Sequence, residues 1–422
     1  MNAFTRKVKN CIIYAIFKLT SSSFTFEMEE KNMKRTILSV LILSLAALTL
    51  FAGGGSDADS TIVKIGVFEP ASGDNGAGGK QETLGIQFAN YVTPTVQVGD
   101  TEYTVELVIA DNESSNDRAA TAAATLINAG SSVVLGSYGS GVSIAGSDTF
   151  RVGGVPVIGI TCTNPQVTEG NSHYFRICFL DPFQGTVLAN YAYQTLGARK
   201  VYCLAKLGDD YSGGLVNYFV ERFTSLGGEV VSETFPEGNS DFTSYIANAK
   251  NSGCEVFFSP VSTEAAQLII NQASSQNLGM SILAGDTWDS NVILQAAKGK
   301  NVDITITTFY PEGANPEFDS AFKEWVNADA TRLSNNGGDD TISAVTAMGY
   351  DAYYFALQAI KNAASTDPGD IMEALWSTEI DGVTGHIALE QVNGDAIRNT
   401  VFVKHANTTT GGWDALPAVV VD

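Results

Sequence analysis

The sequence has little of what enzymatic or metal chemistry needs. Its 422 residues hold three histidines and five cysteines. His173, His386 and His405 stand outside any metal or catalytic signature. No cysteine forms a C-x-x-C pair or sits at zinc-ligand spacing from a histidine, and no serine occupies a G-x-S-x-G elbow. Gly76-Ala77-Gly78-Gly79-Lys80 begins like a phosphate loop, but Asp74 stands where its first glycine belongs and Gln81 follows the lysine. Asp111-Asn112-Glu113 begins like a calcium loop, yet Asn116 fills the position that needs glycine. No paired acid and base for hydrolysis is evident. The expectation is a protein that is not an enzyme and uses no cofactor and no metal.

Basic residues are scarce too: 24 Lys and Arg against 46 Asp and Glu give a formal charge of −22. That balance argues against nucleic acid as a partner and otherwise serves solubility. Long apolar runs are also few. Met33-Lys34-Arg35 followed by the uncharged stretch Ile37 to Ala52 has the form of an export signal and is short for a bilayer span. A signal normally opens its chain, so Met33 is the expected start, despite a second apolar run from Cys11 to Phe17. Phe51-Ala52-Gly53-Gly54 resembles a lipoprotein site in which Gly54 replaces the cysteine that lipid attachment needs, so lipidation there is chemically impossible. Ordinary cleavage near Ala52 to Ala58 is the rival reading, with Gly53 to Ser60 a tether. Loss of residues 1–55 leaves 17 basic and 43 acidic residues. The expected location is periplasmic or cell-surface. Cys162, Cys178, Cys203 and Cys254 remain, and their apolar settings suggest buried thiols, although an export compartment would also permit disulfides.

What the sequence does have is alternation. From Thr61, short β-rich runs alternate with amphipathic helical runs, the pattern of βαβ units around mostly parallel sheets. The strands begin at 61–68, 103–110, 132–135 and 156–160, and a second series from 181 places strands at 200–205, 229–235, 255–260 and 281–284. Residues 316–364 read as helical, with strand-like runs at 386–389 and 399–404. The fold class is α/β with two Rossmann-like lobes. Lobe one is expected to take 61–179 with 310–384, and lobe two 180–309 with 385–422, behind an extension of 1–55.

Gly136-Ser137-Tyr138-Gly139-Ser140-Gly141 lies between a strand and a helix, where unpaired N–H groups favour an anion. Thr161-Cys162-Thr163-Asn164-Pro165 follows the next strand. Ligands of open parallel sheets bind beyond such carboxyl ends, so the two loops suggest one small-molecule site.

These loops, with Asp209-Asp210-Tyr211-Ser212-Gly213, Tyr174-Phe175-Arg176 and Asp241-Phe242, resemble the branched-chain amino acid binding proteins, the type I periplasmic solute-binding proteins of ABC importers. The resemblance spans Ile62 to Lys404. It implies two lobes joined by a three-crossover hinge near Phe179, Phe309 and Gly385. It also implies an amino-acid-like ligand and a membrane permease as partners. Residue by residue, Gly139 and Ser140 would hold an α-carboxylate, with Cys162 through its backbone and Thr163 beside them. Tyr211 would cover the ligand, and Asp286 would pair with its ammonium. Simpler roles compete: a helix cap for Ser140, a turn-stabilising hydroxyl for Thr163, helix packing for Tyr211. Gly78 stands where leucine-binding members carry an aromatic, and Val261-Ser262 where they carry another, so the pocket is expected to be enlarged or reshaped, with Trp288 filling part of it. The implied function is delivery of an amino acid, branched-chain or otherwise, to a permease. A sensing module for a signalling receptor and a binder of an amide or urea are the alternatives.

Overall fold

The computed structural model describes residues 61–420; the export signal, the Gly54 position and the tether lie outside them. The elements run β1 (Ile62–Glu69), α1 (Gly76–Val92), β2 (Thr95–Val98), β3 (Thr101–Asp111), α2 (Asn116–Asn128), β4 (Val133–Gly136), α3 (Ser140–Gly153), β5 (Val157–Gly159), β6 (Tyr174–Arg176), α4 (Asp181–Asn190), β7 (Lys200–Lys206) and α5 (Asp210–Ser225). They continue with β8 (Glu229–Phe235), α6 (Thr243–Asn251), β9 (Val256–Phe258), α7 (Thr263–Ser275), β10 (Ser281–Ala284), α8 (Asn291–Ala297) and β11 (Ile304–Thr308). The last are α9 (Pro316–Asn327), α10 (Ala330–Asn335), α11 (Ala344–Ala363), α12 (Pro368–Leu375), β12 (Glu379–Gly382), β13 (Gly385–Ala388), β14 (Thr400–Asn407) and β15 (Gly412–Val420).

Two sheets organise the molecule. The first has the order β2-β3-β1-β4-β5-β6 and is parallel except for β2; the second has the order β15-β14-β11-β10-β9-β7-β8 and is parallel from β11 to β8. β1 reads Ile-Val-Lys-Ile-Gly-Val-Phe-Glu with nearly every side chain buried, because a parallel strand is covered by helices on both faces. Helix starts are marked chemically. Asn315 and Asp367 accept N–H bonds at the N-termini of α9 and α12, each followed by a proline in the first turn. The α9–α12 region returns to the first lobe, where α11 packs along α1. That approach requires glycine: a Cβ on Gly85 would lie 2.0 Å from the Thr346 carbonyl oxygen, and one on Gly349 2.3 Å from that of Glu82.

The chain passes between the sheets three times, after β6, after β11 and before β14. The crossings are tied together. Phe179 and Phe309 stack at 4.2 Å across the first two, and Arg398 on the third donates to the carbonyls of Ile177 and Thr384. Gly385 lies in the β12–β13 hairpin, and strands of the second sheet resume at Thr400. β2, β6, β11, β12, β15 and α12 were not foreseen as elements from sequence. All four described cysteines are buried free thiols.

Gly85→Ala is expected to lower stability by about 1–3 kcal/mol through overpacking of α1 on α11, read as a fall in the denaturation midpoint without loss of helical signal.

Candidate functional site

The polar loops at the carboxyl ends of β4, β5, β7, β9 and β10 meet across a single cleft between the sheets. The cavity left there is about 50 Å³ and is bordered by Tyr138, Gly139 and Ser140 from one side and Tyr211, Ser262 and Thr287 from the other.

Ser140 is the first residue of α3, and Gly139 precedes it as the cap position. Its hydroxyl makes no cap bond; instead Oγ accepts the Asn164 N–H at 3.2 Å, joining the two anion-favouring loops. The first intrahelical bond runs from the Ser143 N–H to the Gly139 carbonyl, so the N–H groups of Ser140, Gly141 and Val142 project from the first turn toward the cleft. Thr163 is fully buried; its Oγ1 lies beside the Asp181 carboxyl and has no other partner among the described residues. The turn before Pro165 is secured by Asn164, whose Oδ1 accepts the Gln166 N–H. The simpler roles weighed for Ser140 and Thr163 are therefore filled by other atoms.

Cys162 is buried beneath the loop, its carbonyl accepts from Arg176 Nη1 at 2.9 Å, and burial pushes its thiol up to about 11. Arg176 also donates to the Asn164 carbonyl and to Asp395 Oδ1, holding the loop to the third crossing.

From the second lobe, Asp286 opens a 3-10 turn after β10 and is 2% exposed. Its Oδ1 accepts from Tyr211 Oη at 2.8 Å and from Gln184 Nε2 at 2.9 Å. No lysine or arginine reaches it among the described residues, and burial raises its pKa to about 6 against those hydrogen bonds. Asp181, beneath Thr163, is raised by burial to about 8. Further back, the carboxyls of Glu69 and Glu82 are buried beside each other, and burial raises both. Their outer oxygens accept the Tyr138 N–H and the Thr161 hydroxyl. Asp395 is met by Arg176, Asp289 by the buried Lys404 at 2.8 Å and Asp74 by Lys206 at 2.7 Å, whereas Asp181, Asp286, Glu69 and Glu82 have no lysine or arginine at ion-pair distance among the described residues.

Two expectations change. The space beside Gly78 is not an enlarged pocket: the Tyr138 ring fills it, with Cζ 2.4 Å from where a Gly78 Cβ would be. Trp288 is fully buried in the core of the second lobe, its Nε1 donating to the Val261 carbonyl at 3.1 Å, so it stands behind the cleft instead of filling it. Ser262 does border the cleft, while its Oγ accepts the Ala265 N–H as the cap of α7. Bonds across the cleft hold it closed: Tyr138 Oη to the Thr287 carbonyl at 3.1 Å, Lys206 Nζ to Asp74 at 2.7 Å, Asn164 Nδ2 to the Asp210 carbonyl at 2.7 Å and Gln81 Nε2 to Asn291 at 3.1 Å. Tyr138, Gln184 and Asp181 were missed as site residues. Tyr138 lay inside the glycine-rich loop, where an aromatic among small residues was the available signal.

A family model described as a periplasmic binding protein matches residues 62–410. The chain belongs to the periplasmic binding protein family. It is 30% identical to a Leu/Ile/Val-binding protein homolog 1 of Brucella suis over 349 residues, 81% of this chain and 88% of that one. Among solved structures, a leucine-binding protein from Thermotoga maritima is 32% identical with a TM-score of 0.73, covering 85% of this chain and 99% of its own. The isoleucine complex of a branched-chain amino acid binding protein from Streptococcus pneumoniae shares the fold at 24% identity and a TM-score of 0.72, covering 85% of this chain and 99% of its own. Family membership makes this chain a solute-binding protein of the ABC-transporter type with an α/β two-lobed fold, and the family is extracytoplasmic.

The buried acids make stability depend on pH in an unusual sense. Asp181 and Asp286 keep protons when folded that they release when unfolded, so the protein without ligand loses stability as pH rises from about 4 to 8, by at most about 1.4 kcal/mol per unit for each group. Asp181→Asn is expected to flatten that slope in denaturant titrations at pH 5 and 8; a wild type equally stable at both would contradict the assignment.

Proposed function

We propose that the protein binds an amino acid in the cleft and delivers it to the permease of an ABC importer. The reading is carried by one observation: Asp286, a buried carboxylate without a cationic partner among the described residues, is bonded to Tyr211 and precedes Thr287, both of which border the cleft opposite the N-terminus of α3. A zwitterion answers both. Its carboxylate accepts from the N–H groups at Ser140 to Val142 and from the Thr163 hydroxyl, and its ammonium donates to Asp286. Gly139 and Cys162 shape these loops through their backbones, and Tyr211 holds Asp286 in place while covering the solute. The names of the relatives, which include leucine-binding proteins, support an amino acid.

Delivery follows from closure. Residues 61–179 with 310–398 form one lobe and 180–309 with 400–420 the other, the third crossing lying near Arg398 and not at Gly385, because the β12–β13 hairpin packs on the first lobe's core. The lobes pivot at the crossings tied by Phe179, Phe309 and Arg398, and a solute that touches both favours the closed form. The stretch 33–52 serves as the export signal.

A thermal-shift screen against the common amino acids tests the proposal. A solute at a hundredfold excess over Kd stabilises the folded protein by about 2.7 kcal/mol. Asp286→Asn is expected to cost about 2–5 kcal/mol of affinity, the usual loss when one member of a buried charge pair is neutralised. Affinity should also fall about tenfold from pH 7 to pH 5, because Asp286 must give up its proton to receive an ammonium. Undiminished binding by the Asp286→Asn protein sinks the ammonium assignment.

A further inference from the structure

We propose that Glu69 and Glu82 share a single proton and through it hold together the two loops that receive the solute's carboxylate, which makes both of them positioning residues of the site. The role in binding rests on the amino-acid reading above; the shared proton does not.

Glu69 ends β1 and Glu82 lies within α1, and their side chains are 1% and 0% exposed. One oxygen of each is committed to a loop. Glu69 Oε2 accepts the Tyr138 N–H at 2.8 Å, just before α3 begins, and Glu82 Oε2 accepts the Thr161 hydroxyl at 2.6 Å, two residues before Thr163. The other oxygen of each, Oε1, is buried and finds no donor among the described residues. Two ionised carboxylates placed side by side in this way would repel each other with no water to screen them. One proton answers both faults: it removes one charge, and held on one Oε1 it is donated to the other.

The pair bridges a gap in the sheet. The ladder between β4 and β5 pairs Val134 with Val157 and Leu135 with Ile158. Beyond it the loops meet where the Asn164 N–H donates to Ser140 Oγ and, from beneath, at the two carboxyls. The titratable groups facing the pair are Tyr138, the Cys162 thiol after β5, Tyr174 on β6 and Asp286 from the opposite lobe. Arg176, beyond Cys162, is already paired with Asp395. From α11, Thr346 and Gly349 pack on α1 and carry no charge. Burial raises Glu82 to about 8, and it also keeps both phenols and the thiol neutral well above that. Loss of the proton sets two carboxylates against each other while Tyr138 and Thr161 remain attached to them, so the loops are pushed apart.

Glu69→Gln, Glu82→Gln and the double variant test this. Each single exchange puts an amide N–H where the shared proton was, and that group does not titrate. The double exchange opposes two amide donors. In denaturant titrations without solute, the wild type is expected to lose stability from about pH 5 to pH 8, because the folded pair keeps a proton that the unfolded chain releases near pH 4. Glu82→Gln should make that fall shallower, leaving the share due to Asp181. Calorimetric titration with the twenty common amino acids at pH 7 and pH 9 reads the loops. Between those values the wild type should lose about tenfold more affinity than either single variant, and at pH 7 the double variant should bind about tenfold more weakly than either single. Asp181 and the solute's own ammonium titrate in every variant, so the differences report the pair. An unchanged stability slope in both single variants overturns the shared proton. Equal alkaline losses in the wild type and both single variants overturn its hold on the loops. A wild type that binds none of the twenty overturns the amino-acid reading, and the stability slope still decides the pair.

Discussion

A carboxylate withdrawn from water costs several kcal/mol unless its charge is met, and Asp286 is withdrawn with only two neutral donors, Tyr211 and Gln184, to meet it. The cleft is arranged around that imbalance. The donors come from helices α5 and α4 of the same lobe, while among the described residues the opposite lobe brings no lysine or arginine to Asp286 and offers the dipole end of α3 and the Thr163 hydroxyl. A solute carrying both charges is therefore worth more to the closed form than to the open one, because only closure brings it against both sides.

Closure needs a frame that moves without dissolving. The three crossings provide it through the Phe179–Phe309 stack and the bonds from Arg398. Arg176 then links the frame to the site, since it holds the carbonyls of the Cys162–Asn164 loop and the Asp395 carboxylate of the third crossing together. A rotation at the hinge is thus felt at the loop that carries Thr163. Bonds such as Lys206 to Asp74 cross the open rim in partial contact with solvent, so they contribute modestly and can break when the solute leaves.

Much of this was legible in the sequence. The alternation of buried strands and amphipathic helices carried the α/β architecture, because parallel strands covered on both faces have an unmistakable apolar run. The loops carrying Ser140 and Thr163 were readable as strand ends, which parallel sheets bring together, while Tyr211 and Asp286 were named only by the family resemblance. What sequence could not show was direction and occupancy. Gly78 announces a missing side chain but not that Tyr138, sixty residues on, fills the gap. Trp288, two residues from Asp286, turns into the core because the Val261 carbonyl draws its indole N–H. The Glu69–Glu82 pair joins residues that, read singly, are a strand end and a helix position. The edge strand β15 was missed because Gly412 to Val420 includes a proline, which is tolerated on a sheet edge and argues against a central strand.

The central claim is that the two charges of an amino acid are divided between the lobes. The most direct measurement is a crystal structure of the protein grown with the amino acid that binds it best. The account predicts the carboxylate on the N–H groups of Ser140 to Val142 with the Thr163 hydroxyl, and the ammonium on Asp286. An amino acid bound with its ammonium away from Asp286, or seated outside the cleft, would contradict it.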